Sequence, residues 1–97
     1  MIKKNEWVAI GRRKHSSARV RLRPGTGKVI VNGHPVEKYF DRPTSVMVLM
    51  QPLQTTDTAD KFDVHVLVGG GGKSGQAGAV RHGISRALCA FSAELRP

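Results

Sequence analysis

A chain of 97 residues with 39% hydrophobic and only 5% aromatic residues predicts one domain, spanning residues 1–97, with a modest aliphatic core. Sixteen Lys and Arg against seven Asp and Glu give a formal charge of +9, which favours a polyanionic partner. Nine of these basic residues lie in the first 28 positions, where Glu6 is the only acidic residue, so the positive field is local.

The same composition argues against disulfide-stabilised, secreted and membrane-spanning proteins. Cys89 is the single cysteine, so no internal disulfide can form and a reducing compartment is expected. No apolar run approaches the roughly 20 residues that are needed to span a bilayer. The basic N-terminal residues are not followed by a long apolar stretch, and we therefore expect a cytosolic protein without a secretory signal.

The first predicted elements are two strands joined by a basic connection. Residues 7–10 form a short apolar run that ends at Gly11 and predicts a strand, and residues 12–15 form the connection. From Ala18 onward apolar and basic residues alternate, which predicts a half-buried second strand. The outward face of this strand carries Arg19, Arg21 and Arg23.

Turn and helix signals follow in the middle of the chain. Residues 24–27 are typical of a turn and residues 29–31 of a strand, so the second and third strands are expected to form a hairpin. Residues 36–40 suit one helical turn. Pro43 suits the first turn of a second helix, which Pro52 should keep short.

The last part of the chain predicts a loop, a strand and a long helix. Residues 54–60 suit a surface loop, alternation over residues 62–68 predicts a strand, and four glycines follow. A helix is predicted from about residue 75 to residue 93. Its apolar stripe consists of Val80, Ile84, Ala87, Leu88, Phe91 and Leu95. Together the elements predict an α+β two-layer sandwich, with a mostly antiparallel four-stranded sheet and helices on one face.

The basic connection and the arginine strand are the first candidate binding element. Side chains two residues apart on a strand repeat at about 6.6 to 6.8 Å, close to the spacing of phosphates along one nucleic-acid strand. The alternative is that the arginines only keep an exposed strand soluble, but few acidic residues balance them. The candidate phosphate ligands are Arg12, Arg13, Lys14, Arg19, Arg21 and Arg23.

The polar face of the long helix is the second candidate. Arg81, His82 and Arg86 lie on it, beside a stripe of small residues that includes Ala79 and Gly83. Such a stripe lets another surface approach the helix backbone closely. That surface is either a partner or the protein's own sheet, and the sequence leaves both open.

The glycine-rich segment is the third candidate. Residues 70–75 match the pattern G-x-G-x-x-G between a predicted strand and a predicted helix, so backbone N–H groups together with Lys73 and Ser74 could receive an anion. Four consecutive glycines satisfy this pattern easily, and a nucleotide-binding fold would need a later strand with an acidic residue. A nucleic-acid phosphate is therefore the favoured ligand.

Catalytic and metal sites are not indicated. The four histidines lack the spacing of metal ligands, and Cys89 has no activating base beside it in the sequence. Trp7 and Tyr39 are more typical of packing than of base stacking. We expect no cofactor, no metal and no enzymatic activity.

Several segments together resemble the ribosomal protein S-nine family of the small subunit, in its bacterial or organellar form. Residues 11–20 (GRRKHSSARV) resemble the family's opening signature, and the most specific stretch is SGQAGAVRHGISRAL at residues 74–88. The matches follow the family's order over nearly the whole chain. Further matching blocks lie at residues 25–28, 31–33, 39–40, 51–53 and 61–64.

The resemblance implies a fold like the second domain of ribosomal protein S-five, with a left-handed βαβ crossover. It implies binding to 16S-type ribosomal RNA in the head of the small subunit, beside other head proteins, in the cytoplasm or an organellar matrix. Family members usually continue into a basic tail that reaches toward transfer RNA, and contact with transfer RNA is not carried over because that tail is absent. The family's RNA-contacting regions correspond here to Arg12, Arg13, Lys14, Ser74 and Gln76.

Three functional hypotheses follow. The first is a non-catalytic scaffold that grips folded ribosomal RNA through backbone phosphates, with shape rather than base edges giving specificity. The second is a nucleotide-dependent phosphotransferase that uses Gly70, Gly72 and Lys73. The third is a basic protein-interaction module that would keep its partner at high salt.

Overall fold

The computed structural model describes residues 6–95, with side chains as far as residue 93. A five-stranded sheet has the strand order β1-β2-β5-β3-β4. β3 runs parallel to β5 and the other neighbouring strands are antiparallel. In chain order the elements are β1 (Trp7–Arg13), β2 (Ser16–Pro24), β3 (Val29–Val31), β4 (His34–Pro35), α1 (Val36–Tyr39), α2 (Pro43–Thr55), β5 (Phe62–Gly69) and α3 (Lys73–Leu95).

The predicted α+β class is confirmed, and the details of the sheet differ from the prediction. The sheet is mixed and has five strands instead of four, because two residues after the third strand, His34–Pro35, pair with it as β4. α2 runs three residues beyond Pro52, since a proline in the last turn removes a single helical hydrogen bond. α3 covers the predicted helix and begins two residues earlier.

The predicted hairpin between β2 and β3 is wrong. β2 pairs with β1 on one side and with β5 on the other, so β5 lies between the two strands that follow each other in sequence. Asn32 explains part of the pairing between β3 and β5. Its side chain donates a hydrogen bond to the Val68 carbonyl and accepts one from the Val68 N–H, both at 2.9 Å, and so prolongs the parallel ladder.

Alternation along the strands separates a core face of the sheet from an open face. Ala18, Val20 and Leu22 of β2 are fully buried, whereas the arginines between them point the other way. α3 packs across the core face and α2 packs along α3. The core includes the buried aliphatic positions of β5 and α3, which are Val64, Val66, Val68, Ala77, Ala79, Val80, Ile84, Ala87 and Leu88.

β1 and α3 approach each other at backbone distance. A Cβ atom at Gly11 would overlap the Ala79 carbonyl oxygen and the Gly83 nitrogen, and a Cβ atom at Gly83 would lie 2.6 Å from a methyl group of Val20. The small residues of α3 therefore face the protein's own sheet, which decides between the two alternatives that the sequence left open. Trp7, Phe62 and Phe91 close one end of this interface with edge-to-face ring contacts.

The turn between β2 and β3 is held by one carboxylate. Oδ1 of Asp63 accepts hydrogen bonds from the backbone N–H groups of Thr26, Gly27 and Lys28 at 3.0 to 3.1 Å. These bonds, with the positive charge of Lys28, hold the pKa of Asp63 below its ordinary value of 3.8. Gly25 is required beside it because a Cβ atom there would overlap the carboxyl group.

Replacing Gly11 with alanine should destabilise the protein by about 3 kcal/mol, since the new methyl group meets backbone atoms that cannot rotate away. Gly69→Ala is the matched control, because a Cβ atom at Gly69 meets nothing within 4 Å, and it should change stability by less than about 0.5 kcal/mol. Urea denaturation measures both. Equal stability of the two variants would contradict the close approach.

Asp63 should make stability depend on pH in acid. Because its folded-state pKa is lowered, its contribution is complete above the ordinary value of 3.8 and is lost as the pH falls through the lowered folded-state pKa. Thermal unfolding between about pH 5 and pH 2 should show a smaller loss of stability for Asp63→Asn than for the unmodified protein. Parallel curves for the two proteins would show that this carboxylate does not hold the turn.

Candidate nucleic-acid interface

The hairpin between β1 and β2 is tighter than the sequence suggested. Arg12 and Arg13 belong to β1, so only Lys14 and His15 form the connection, and Lys14 has a positive φ of 55°. The side chain of Arg13 turns to the core side of the sheet and lies on α3 at Gly78, where a Cβ atom would overlap its Cδ. The tip of the hairpin is thereby fixed above the first turns of α3.

A buried hydrogen-bond network attaches this tip to the glycine segment. The Gly70 carbonyl accepts hydrogen bonds from Ser16 Oγ at 2.9 Å and from Gln76 Nε2 at 3.1 Å. Tyr39 Oη donates to Gln76 Oε1 at 2.6 Å. Gly70 and Gly71 have positive φ values of 79° and 60°, which glycine adopts without a steric cost. The network fixes the loop that leads into α3.

Cationic side chains collect around this attachment. We define the tip surface as Arg13, Lys14, His15, Ser74 and Arg81, all of which are exposed. They line two adjoining clefts of about 290 and 350 Å³, which share Arg13 and Ser74. None of the described residues that line these clefts is acidic. The first turn of α3, whose N–H groups carry partial positive charge, opens into the same place.

Lys73 and Gln76 lie beside the tip surface but bind within the protein. Lys73 Nζ donates to the Tyr39 carbonyl oxygen at 2.7 Å and lies 3.9 Å from the centre of the Tyr39 ring. Gln76 is only 8% exposed and both ends of its amide are hydrogen-bonded. The structure therefore gives Gln76 a role in positioning the loop, which differs from the surface contact that the sequence suggested.

Three further predicted residues lie at the free edge of β1. The Arg12 N–H donates to His82 Nδ1 at 3.1 Å, and Arg86 donates to the Ile10 carbonyl oxygen at 3.2 Å. These two side chains of α3 satisfy backbone groups that an edge strand would otherwise leave open to another strand. Arg12, His82 and Arg86 thus form a separate group along this edge, and all three remain exposed.

The arginine strand lies on the open face of the sheet. Arg19 and Arg21 are exposed there, between β1 and β5. Arg23 instead forms an ion pair with Glu6, with 2.7 Å between Nε and Oε2. It is the one ion pair between the described side chains of residues 6–93, and it takes Arg23 out of the set of freely available cations.

The twelve predicted binding residues therefore do not form one track. Arg13, Lys14, Ser74 and Arg81 come together, and Lys73 and Gln76 lie beside them in contacts within the protein. The other six divide between the β1 edge and the open face. Three further residues that line the same clefts were not predicted from the sequence: His15, and Thr44 and Ser45 from the start of α2. Nothing in the local sequence indicates that α2 meets the hairpin tip, because that contact depends on tertiary packing.

The remaining candidates for chemistry do not form a site. Among the described residues, no three His, Cys, Asp or Glu side chains lie close enough to hold a metal ion. Within residues 6–95, no helix is both long and apolar enough to cross a bilayer. The Gly70 carbonyl and the backbone of Gly71 pack against His15 and Ser16, so the hairpin occupies one side of the loop that a nucleotide would need.

These features define a class, a basic α+β protein in which clustered cations lie beside a helix start that favours anions. A model of the family described as ribosomal protein S9/S16 matches residues 11–97, and the chain belongs to this family. The resemblance drawn from the sequence is thereby confirmed. The protein is therefore a ribosomal protein of the small subunit. Because the family is structural and non-enzymatic, the phosphotransferase hypothesis is dismissed.

Replacing Tyr39 with phenylalanine should destabilise the protein by about 1 to 3 kcal/mol, because the buried Gln76 Oε1 loses its donor. A double-mutant cycle with Gln76→Ala, measured by urea denaturation, should give a coupling energy of about 0.5 to 3 kcal/mol. Additive effects of the two substitutions would show that the pair does not act together in holding the loop.

Proposed function

We propose that the protein binds 16S-type ribosomal RNA in the head of the small subunit through backbone phosphates, and that it supports assembly of the head and translation. Membership of the ribosomal protein S9/S16 family sets the assembly in which it acts, a ribosome of the cytoplasm or of an organelle. We place the protein in cytoplasmic ribosomes, with organellar ribosomes as the alternative, and neighbouring head proteins complete its partners. Residues 1–97 act in this proposal as one ribosomal-protein domain.

The tip surface is the observation that carries this proposal. Arg13, Lys14 and Arg81 belong to different elements, yet folding gathers them around Ser74 and the start of α3 without a carboxylate in the lining. Guanidinium groups bind phosphate oxygens in a fixed fork, and backbone N–H groups at a helix start add further donors. An RNA backbone that follows the two clefts would meet all of these groups in succession.

The chemistry of the surface favours recognition of shape over recognition of base sequence. Arg and Lys predominate on the tip surface, and the aromatic rings pack within the protein, with Trp7 against Phe62 and Phe91, and Tyr39 against Phe40. Phosphate contacts fix the register and orientation of a partner and carry no sequence information of their own. Folded RNA presents its phosphates in a specific arrangement, so this surface selects a folded site.

The proposal also includes two details of the fold that the family resemblance implies. The parallel strands β3 and β5 are connected through α1 and α2, which makes a βαβ unit. We expect its crossover to be left-handed and the whole domain to be similar to the second domain of ribosomal protein S-five.

Binding to a transcribed head fragment of 16S-type RNA should weaken steeply with salt, because each neutralised phosphate releases counterions. The triple variant Arg13→Gln, Lys14→Gln and Arg81→Gln should bind more weakly and lower the slope of log affinity against log salt by about 3. Fluorescence anisotropy of labelled RNA, titrated at several salt concentrations, measures both quantities.

The control for this experiment removes positive charge away from the tip surface. Lys38→Gln with Lys61→Gln changes two exposed residues, of α1 and of the loop before β5, and should alter the slope far less. Circular dichroism melting confirms that each variant is folded. Salt-independent binding by the unmodified protein would refute the proposal and favour a protein-interaction module.

A further inference from the structure

The open face of the sheet carries an ordered pattern of cationic and aliphatic side chains. In one row across the strands, Arg19 lies between Ile10 and Leu67. In the next row, Arg21 lies between Val8 and His65. The apolar members are unusually accessible for their type, with 42% exposure for Ile10 and 65% for Leu67. No described element covers them, so the pattern is available to a partner.

A depression lies within this pattern. It has a volume of about 210 Å³ and forms where the turn after β3 borders the sheet. Arg19 and Arg21 both line it, so a group that enters the depression lies beside two arginine side chains at once. Its border includes Arg19, Arg21, Ile30, Gly33, His65 and Leu67.

Among the side chains that the structure describes, no carboxylate forms an ion pair with Arg19 or Arg21. Glu6 is engaged with Arg23 at one end of β2. Asp63 lies at that same end, opposite Arg23, and its Oδ1 accepts three backbone hydrogen bonds of the turn. Arg19 and Arg21 are spaced two residues apart along one strand, which separates them by about 6.6 to 6.8 Å. Their charge therefore favours an anionic chain.

The sheet itself separates the open face from the tip surface. Arg13 turns to the core side, where it lies on α3 at Gly78, whereas Arg19 and Arg21 project from the opposite side. Fully buried Val20 and Leu22 fill the layer between sheet and helix. One straight RNA backbone that contacts the tip surface would therefore not lie on Arg19 and Arg21 at the same time.

We infer that the open face, centred on Arg19, Arg21 and His65, is a second RNA-binding surface, and that the domain bridges two RNA segments. The inference rests on the proposed function and adds to it a second site and a cross-linking role. The arginines would hold phosphates, and the aliphatic side chains beside them would contact the apolar faces of ribose. RNA is favoured over an apolar protein surface because the centre of the face is cationic in both rows.

Two labelled RNA duplexes test the inference. Duplexes of about 20 base pairs, one carrying a donor dye and one an acceptor dye, are mixed with the full protein at about 0.15 M salt. If one protein bridges two duplexes, energy transfer between the dyes should be greatest at a ratio of about one protein to two duplexes. It should decline when protein is in excess, because each duplex then binds its own protein. Analytical ultracentrifugation of the same samples determines whether one copy of the protein is present in each complex.

Variants separate the two surfaces. Arg19→Gln with Arg21→Gln should abolish energy transfer while anisotropy still reports binding of a single duplex, and it should lower the salt slope by about 2. Arg13→Gln with Lys14→Gln should also abolish transfer. The matched control, Lys38→Gln with Lys61→Gln, removes the same charge elsewhere and should keep it.

The outcomes distinguish this inference from the function on which it rests. Failure of the unmodified protein to bind either a duplex or the transcribed head fragment would contradict the proposed function. Binding of the head fragment without binding of the duplexes would overturn the inference alone. Binding of one duplex without transfer would overturn the inference alone. Three further results would also overturn the inference: energy transfer that survives in the Arg19 and Arg21 variant, transfer that is lost equally in the lysine control, and transfer that requires two copies of the protein. Unchanged transfer in the Arg19 and Arg21 variant would leave the open face to a protein neighbour.

Discussion

The close backbone contact between β1 and α3 fixes how the sheet and its main helix are positioned. At Gly11 of β1 and Gly83 of α3 the two backbone segments approach so closely that neither position has room for a side chain. This contact sets the position of the hairpin tip above the first turns of α3. Arg13 can then cross Gly78, and Ser16 can reach the Gly70 carbonyl. The tip surface exists only because these elements are held at this distance.

Several polar residues near the interface stabilise the protein's own backbone. Gln76 holds the glycine loop, Lys73 binds the Tyr39 carbonyl, and His82 and Arg86 satisfy the edge of β1. A surface that is fixed before binding loses less conformational entropy when RNA arrives. In the proposed function such residues would serve RNA binding indirectly, since they hold the exposed cations in a defined arrangement.

The two sides of the sheet give the cations different surroundings. Adjacent residues of a strand point to opposite faces, so neighbouring basic residues of β1 and β2 separate as soon as the strands form. Arg13 reaches the helix layer, Arg19 and Arg21 occupy the open face, and Arg23 is neutralised by Glu6. The cations that the structure describes are therefore distributed over distinct surfaces rather than one continuous track.

Residue patterns alone predict most of the strands and helices, the outward direction of Arg19 and Arg21, and the family. Periodicity of two and of 3.6 residues identifies which face of a strand or helix is apolar, and this held for β2, β5 and α3. Three features could not be predicted in this way: the position of β5 between β2 and β3, the burial of Gln76, and the division of the predicted cations between surfaces. Periodicity specifies a buried face but not the neighbour that covers it. Strand partners and helix contacts are selected by packing between residues far apart in the chain.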